Sequence, residues 1–193
     1  MRQMRPFLAL AAALALSGCL SFGAKPPPTL MRLTSDAQPG TTSRTAGAGE
    51  AITVVPPSVP AELQTPRVPV RTGATQVAYV KDAQWVEAPN ILFARLLSST
   101  IAGRTGRVVL DPKQFTFDPG QRLTGTLQAF GLDADTNEAV LVYDAAISRG
   151  KDSVETRRFE ARVPVAALDA ANAPAALNQA ANQVATQVAA WVG

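Results

Sequence analysis

The sequence predicts a mixed α/β domain, a largely antiparallel sheet with two helices packed on one of its faces. Three observations lead there. Between residues 122 and 163, three apolar-alternating stretches are joined by two turn-forming clusters, the pattern of an antiparallel meander. Residues 89–103 and 174–191 place apolar side chains at three- and four-residue spacing and read as helices. Short β-branched runs bounded by Pro and Gly precede the first helix, and a sheet covered by helices buries one shared core.

Ahead of that domain, residues 1–19 form an address. Arg2 and Arg5 give a positive start, residues 7–16 are an almost unbroken apolar run, and Ser17 and Gly18 are small. This is the pattern of a secretory signal, too short to span a membrane, with the cut expected between Gly18 and Cys19. Leu16-Ser17-Gly18-Cys19 resembles the lipobox of bacterial lipoproteins. That resemblance implies diacylglycerol on the sulfur of Cys19 and an N-acyl chain on its new amino terminus. No other cofactor is expected. A cleaved signal with an incidental cysteine is the alternative reading.

Composition narrows the rest. Arg2 and Arg5 leave with the signal, which takes the net charge from +3 to +1. A nearly neutral chain is a poor match for nucleic acid, which needs a clustered basic face. One cysteine allows no internal disulfide. The chain has no histidine, which removes the commonest zinc ligand, the Ser-His-Asp and Cys-His arrangements, and the usual general base. No metal site is expected.

Residues 19–49 read as the lipidated start followed by a flexible linker, because Pro, Gly, Ser and Thr dominate and little apolar surface is available to offset ordering. Residues 29–34 alternate and are a candidate edge strand within it. The domain proper is expected over residues 50–193. Residues 51–55 form a β-branched run, 59–69 are extended and rich in proline, 68–70 can pair briefly, and 76–81 read as a strand leading to Trp85. Gly103 and Gly106 supply the stop of the first helix. A short strand is expected over 107–110. In the meander, residues 122–132 should turn Leu123, Leu127 and Ala129 to one face. Residues 138–148 should do the same with Leu141, Tyr143, Ala145 and Ile147, and 154–163 complete it. Leu177, Ala181, Val184, Val188 and Trp191 stripe the last helix, with Gln179, Asn182, Gln183 and Gln187 on its other faces.

Several clusters invite chemical readings, and each has a plainer one. Asp133, Asp135 and Glu138 resemble a sparse calcium loop, but its central glycine and distal glutamate are missing, so a solvated hairpin turn is the better reading. Ser98, Ser99 and Thr100 offer hydroxyls without a nearby base. Residues 103–107 (Gly-Arg-Thr-Gly-Arg) follow a helix instead of preceding one, which suits a helix C-cap better than a phosphate loop. Trp85 and Trp191 read as core more readily than as a lipid groove.

The order of elements resembles the ABC-type transport auxiliary lipoprotein family, of which the paraquat-inducible protein C lipoprotein is the best-known type. The resemblance covers residues 30–191. It rests on Cys19, the strand Ile52-Thr53-Val54, and the loop from Val59 and Pro60 through Leu63 and Pro66 to Arg67. It continues with Tyr79 and Gln84-Trp85-Val86-Glu87-Ala88-Pro89 leading into a helix. One departure is Thr29-Leu30, where the family often has a tyrosine before the leucine. The resemblance implies a fold similar to the TolB N-terminal domain. It also implies a non-catalytic auxiliary component of an MCE-type ABC system moving phospholipid or other hydrophobic molecules between membranes. Expected partners are an MCE-family protein, the ABC permease and ATPase, and the membrane through the anchor, with homo-oligomerisation left open. Docking is expected around Val59, Pro60, Leu63, Pro66, Arg67 and Trp85, where backbone without ladder partners can accept an added strand. Leu20 after the cysteine, in place of the retaining aspartate, favours the outer membrane. The alternative is an envelope assembly or scaffold lipoprotein; a hydrolase would be confined to carboxylate or Ser-Lys chemistry.

Overall fold

A computed structural model of the chain describes residues 29–37, 40, 43–47, 49–112, 120–150 and 153–193. The signal, Gly18 and Cys19 lie outside them. The elements run β1 (Ile52–Val54), a 3-10 turn (Ala61–Leu63), β2 (Arg67–Thr72), β3 (Gln76–Gln84), α1 (Pro89–Thr105) and β4 (Val109–Leu110). They continue with β5 (Gln121–Asp133), β6 (Glu138–Ser148), β7 (Val154–Pro164) and α2 (Ala173–Val192).

The expected meander is present, and β5 is its hinge to everything else. Along one edge β5 pairs antiparallel with β6, and β6 pairs with β7, with Leu123 opposite Ile147, Leu127 opposite Tyr143, and Tyr143 opposite Phe159. Its other edge is divided. The start of β5 lies parallel to β1, with Val54 opposite Leu123. Its end lies parallel to β2, with Val70 opposite Leu132. Ser58 bridges Thr126 between the two. β3 and β4 close the two flanks of this first half, giving a mixed seven-stranded sheet.

Two glycines make these close approaches possible. Gly125 has φ +148°, and a Cβ there would stand 2.1 Å from the Asp144 carbonyl oxygen and 2.8 Å from the Tyr143 ring. Gly131 admits the carbonyl of Pro69, which would lie 2.4 Å from an added Cβ. One expectation fails here. A bulge between Leu127 and Ala129 inserts one residue, so the inward set becomes Leu123, Leu127, Phe130 and Leu132, and Ala129 turns to the open face.

Both helices cover the same face, α1 over β1 and β4 and α2 over β5 to β7, and they pack on each other. Pro89 occupies the first turn of α1, and Gly106, not Gly103, ends it with φ 74° and an N–H bond to the Ala102 carbonyl at 3.1 Å. The core between the layers includes Phe93 edge-on to Tyr143 at 5.3 Å and Trp85 stacked on Phe130 at 5.1 Å. The Tyr143 hydroxyl donates to the Thr124 carbonyl at 2.7 Å, and burial pushes its phenol well above the ordinary range. Trp191 is half-buried beside Phe159 and donates to Glu155. The opposite face of β5 to β7 is polar. There the Arg158 guanidinium grips Asp144 and holds its carboxyl below the usual range, while Arg162 reaches Glu160, Glu138 and Asp133.

Part of the stretch read as a linker is held on the domain. Met31 is buried and forms a one-residue parallel bridge with Trp85, its N–H on the Gln84 carbonyl and its own carbonyl accepting from Val86. Residues 34–36 then cross the two helices as a strap. Asn178 Oδ1 accepts from the Thr34 N–H at 2.8 Å, Asn182 Oδ1 accepts from Asp36 N–H at 2.9 Å, and Asn182 Nδ2 donates to the Thr34 carbonyl. Ser35 meets the buried Thr100 hydroxyl at 3.0 Å. Asn182 is therefore buried, contrary to its assignment to a polar helix face, because an amide there matches the backbone of an extended segment. Asn182→Ala should cost about 1–3 kcal/mol by stranding Thr34 and Asp36 backbone groups. Faster amide exchange confined to residues 31–37, against an unchanged sheet, is the measurement that checks it.

Candidate docking surface

The proline loop is shaped by where its chain can bond. After Pro56 and Pro57, the Ser58 N–H donates to the Gly125 carbonyl at 3.0 Å, its carbonyl accepts from Leu127 at 2.9 Å, and its hydroxyl meets Thr126 at 2.8 Å. Asn90 Nδ2 ties the Pro57 carbonyl to the start of α1 at 3.1 Å. The 3-10 turn follows, closed by Leu63 N–H on Pro60 and Gln64 N–H on Ala61. The loop ends where the Pro66 carbonyl accepts from the Trp85 N–H at 2.7 Å.

The expected docking residues therefore divide into two groups. Leu63 and Trp85 are in the core, 0 % and 2 % exposed, and Val59 packs against it. They hold the loop from beneath. Pro60 and Pro66 are half-buried and Arg67 is exposed, lying 4.0 Å above the Tyr79 ring. Strand addition at β2 is closed, since β3 lies on one side of it and β5 on the other.

The clusters with chemical readings resolve into structural roles. Asp133 Oδ1 accepts from the N–H groups of Asp135 and Thr136, and Thr136 Oγ1 bonds Glu138, so the hairpin turn satisfies itself. Ser98 donates back to the Ala94 carbonyl at 2.9 Å within α1. It lines a groove of about 420 Å³ with Ser99, Arg95 and Asp111. Arg107 spends its guanidinium on the carbonyls of Glu50 and Val192 and on Gln121. Burial, and then Arg149 nearby, hold it below the usual arginine range. It pins the ends of both helices beside a depression of about 460 Å³ and leaves no donor fork for a phosphate. Among the described residues no group of three or more acidic or cysteine side chains is placed to hold a metal, and no helix is long and apolar enough to cross a membrane.

A protein-family model described as the ABC-type transport auxiliary lipoprotein component matches residues 32–189. Among solved structures, protein XCC0632 from Xanthomonas campestris, of domain-of-unknown-function family 330, superposes with a TM-score of 0.69 at 20 % identity, covering 85 % of this chain and 94 % of its own. A crystal structure of an uncharacterized protein superposes with a TM-score of 0.66 at 14 % identity, covering 77 % of this chain and 95 % of its own. Both show the same fold. None of the curated proteins matches the sequence.

Proposed function

Since the chain belongs to the ABC-type transport auxiliary lipoprotein family, we propose that it is the non-catalytic, lipid-anchored adaptor of an MCE-type ABC system that moves phospholipid or other hydrophobic molecules across the cell envelope. The family match supports the transport-auxiliary part of this reading, because it runs from the strap into α2. The chemistry supports it. The Asp133 hairpin and Arg107 are engaged in a turn and on carbonyls, and the loop from Pro60 to Arg67 exposes Arg67 above the buried Leu63 and Trp85. Cys19, diacylated and N-acylated, would hold the domain at the outer membrane. Pro60, Pro66 and Arg67 would meet the MCE protein or the permease–ATPase assembly.

Affinity purification of the full lipidated chain from detergent-solubilised envelopes tests this. Co-purification of an ABC ATPase, a permease or an MCE-domain protein is expected, and it should weaken in a Pro60→Ala, Pro66→Ala, Arg67→Glu variant. Repeated recovery of none of them, or of cell-wall synthesis components in their place, would sink the transport reading in favour of a scaffold.

A further inference from the structure

We infer that the outer face of β2 and β3, together with residues 30–32, rests on an anionic lipid bilayer. Strand alternation assigns this face. Met31 and Trp85 pair inward, so Leu30, Arg32, Gln84 and Val86 turn outward. Arg67 pairs with Gln84, Pro69 with Tyr79 and Arg71 with Val77, which places Arg67, Arg71, Tyr79 and Val77 on that same side. Four large apolar side chains stand out as exposed among the described residues, and three of them are here: Leu30 at 53 %, Val86 at 51 % and Val77 at 47 %. Leu30 and Val86 flank the Met31–Trp85 bridge, and Val77 stands nine residues away toward the β2–β3 hairpin, so the face is a strip with apolar tips at both ends.

The charge points to the same occupant. Arg32, Arg67 and Arg71 make no ion pair among the described residues, and Arg67 only lies over Tyr79. The neighbouring acid Glu87 is already bound to Arg95. Asp82 is the remaining carboxylate on β3, set in its irregular section at φ 59°; beyond it Glu62 and Asp133 line a depression with Arg71, and Asp133, opposite Arg71 on β5, is engaged by Arg162. Aliphatic tips flanked by free arginines and a tyrosine match the boundary between acyl chains and anionic headgroups. The site of the anchor agrees, and here the inference rests on the lipidation proposed above. Leu30 lies eleven residues after Cys19, a span of at most about 36–40 Å even when fully extended. Arg67 borders the proline loop, so a docked protein would sit beside the bilayer contact.

The test uses the full mature lipoprotein reconstituted into vesicles of phosphatidylcholine alone or mixed with phosphatidylglycerol. With Cys19 acylated, Val77→Cys supplies the single free thiol for a fluorophore, and Gln187→Cys on the exposed side of α2 supplies the control. Quenching by bromine-labelled lipid should be several-fold greater at position 77 than at 187, only in vesicles containing phosphatidylglycerol, and should fall in high salt. Each arginine contributes roughly fivefold in partition, so Arg32→Gln and Arg71→Gln together should weaken it about 25-fold. Equal quenching at 77 and 187 in a chain that floats with the vesicles overturns the inference while leaving the anchor intact. So does photocrosslinking from position 77 to an envelope protein without quenching. A chain that fails to float overturns the anchor reading and this one with it.

Discussion

Replacing Trp85 by alanine is expected to destabilise the domain by about 3–5 kcal/mol, the range for deleting a fully packed indole. Its ring stacks on Phe130 and lies against the bridge to Met31, so its loss opens a cavity where the strap, β3 and the sheet meet. Trp85→Phe should cost far less, under about 1.5 kcal/mol, because it keeps the stacking and Nε1 has no protein acceptor to lose. Urea unfolding of the three proteins decides this through the midpoint at constant slope. A W85A protein that unfolds at the wild-type midpoint yet loses its partners would mark Trp85 as a contact residue, and the burial argument would then be wrong.

Cys19→Ala should move the protein almost completely from the membrane to the soluble fraction while leaving its urea midpoint unchanged. The two or three acyl chains expected on Cys19 anchor stably, whereas a single chain binds only marginally. The described core begins at Met31, twelve residues beyond Cys19. A variant that stays with membranes after a salt wash would show that something other than the lipid holds it. The lipid face inferred for β2 and β3 is too small to do so alone, since each arginine adds only about 1 kcal/mol near an anionic surface.

Much of this architecture is legible in the residues. Residues 138–148 coincide with β6 because every odd-numbered residue from 139 to 147 is apolar and the run lies between two turns, one containing Asn137 at φ 53° and the other Gly150 at φ 76°. The helices are legible for the same reason, their period being local. The bulge in β5 was present as a slip in parity, since Leu123 and Leu127 are odd-numbered and Phe130 and Leu132 even, but two apolar residues of each parity fit a regular strand too. The parallel pairing of β1 and β2 with β5 leaves no local trace. The strap is the same kind of case: nothing in residues 34–36 points to Asn178 and Asn182, because the amide pair and the backbone it reads lie more than 140 residues apart. The candidate site was legible in part. The proline loop and Trp85 are visible as motifs, but which of their residues look outward depends on packing, and Cys19 is legible from sequence alone.

The shared edge of β5 also governs when this chain can acquire a structure. Ile52 lies 69 residues before its partner Gln121, and Val70 lies 62 before Leu132. Until β5 has been synthesised, β1 has no inner neighbour and β2 has only its hairpin with β3, which is marginal in isolation. Pairings this distant close slowly, because the loop entropy is lost before the contacts form. Sheet formation is thereby postponed until most of the polypeptide has been synthesised.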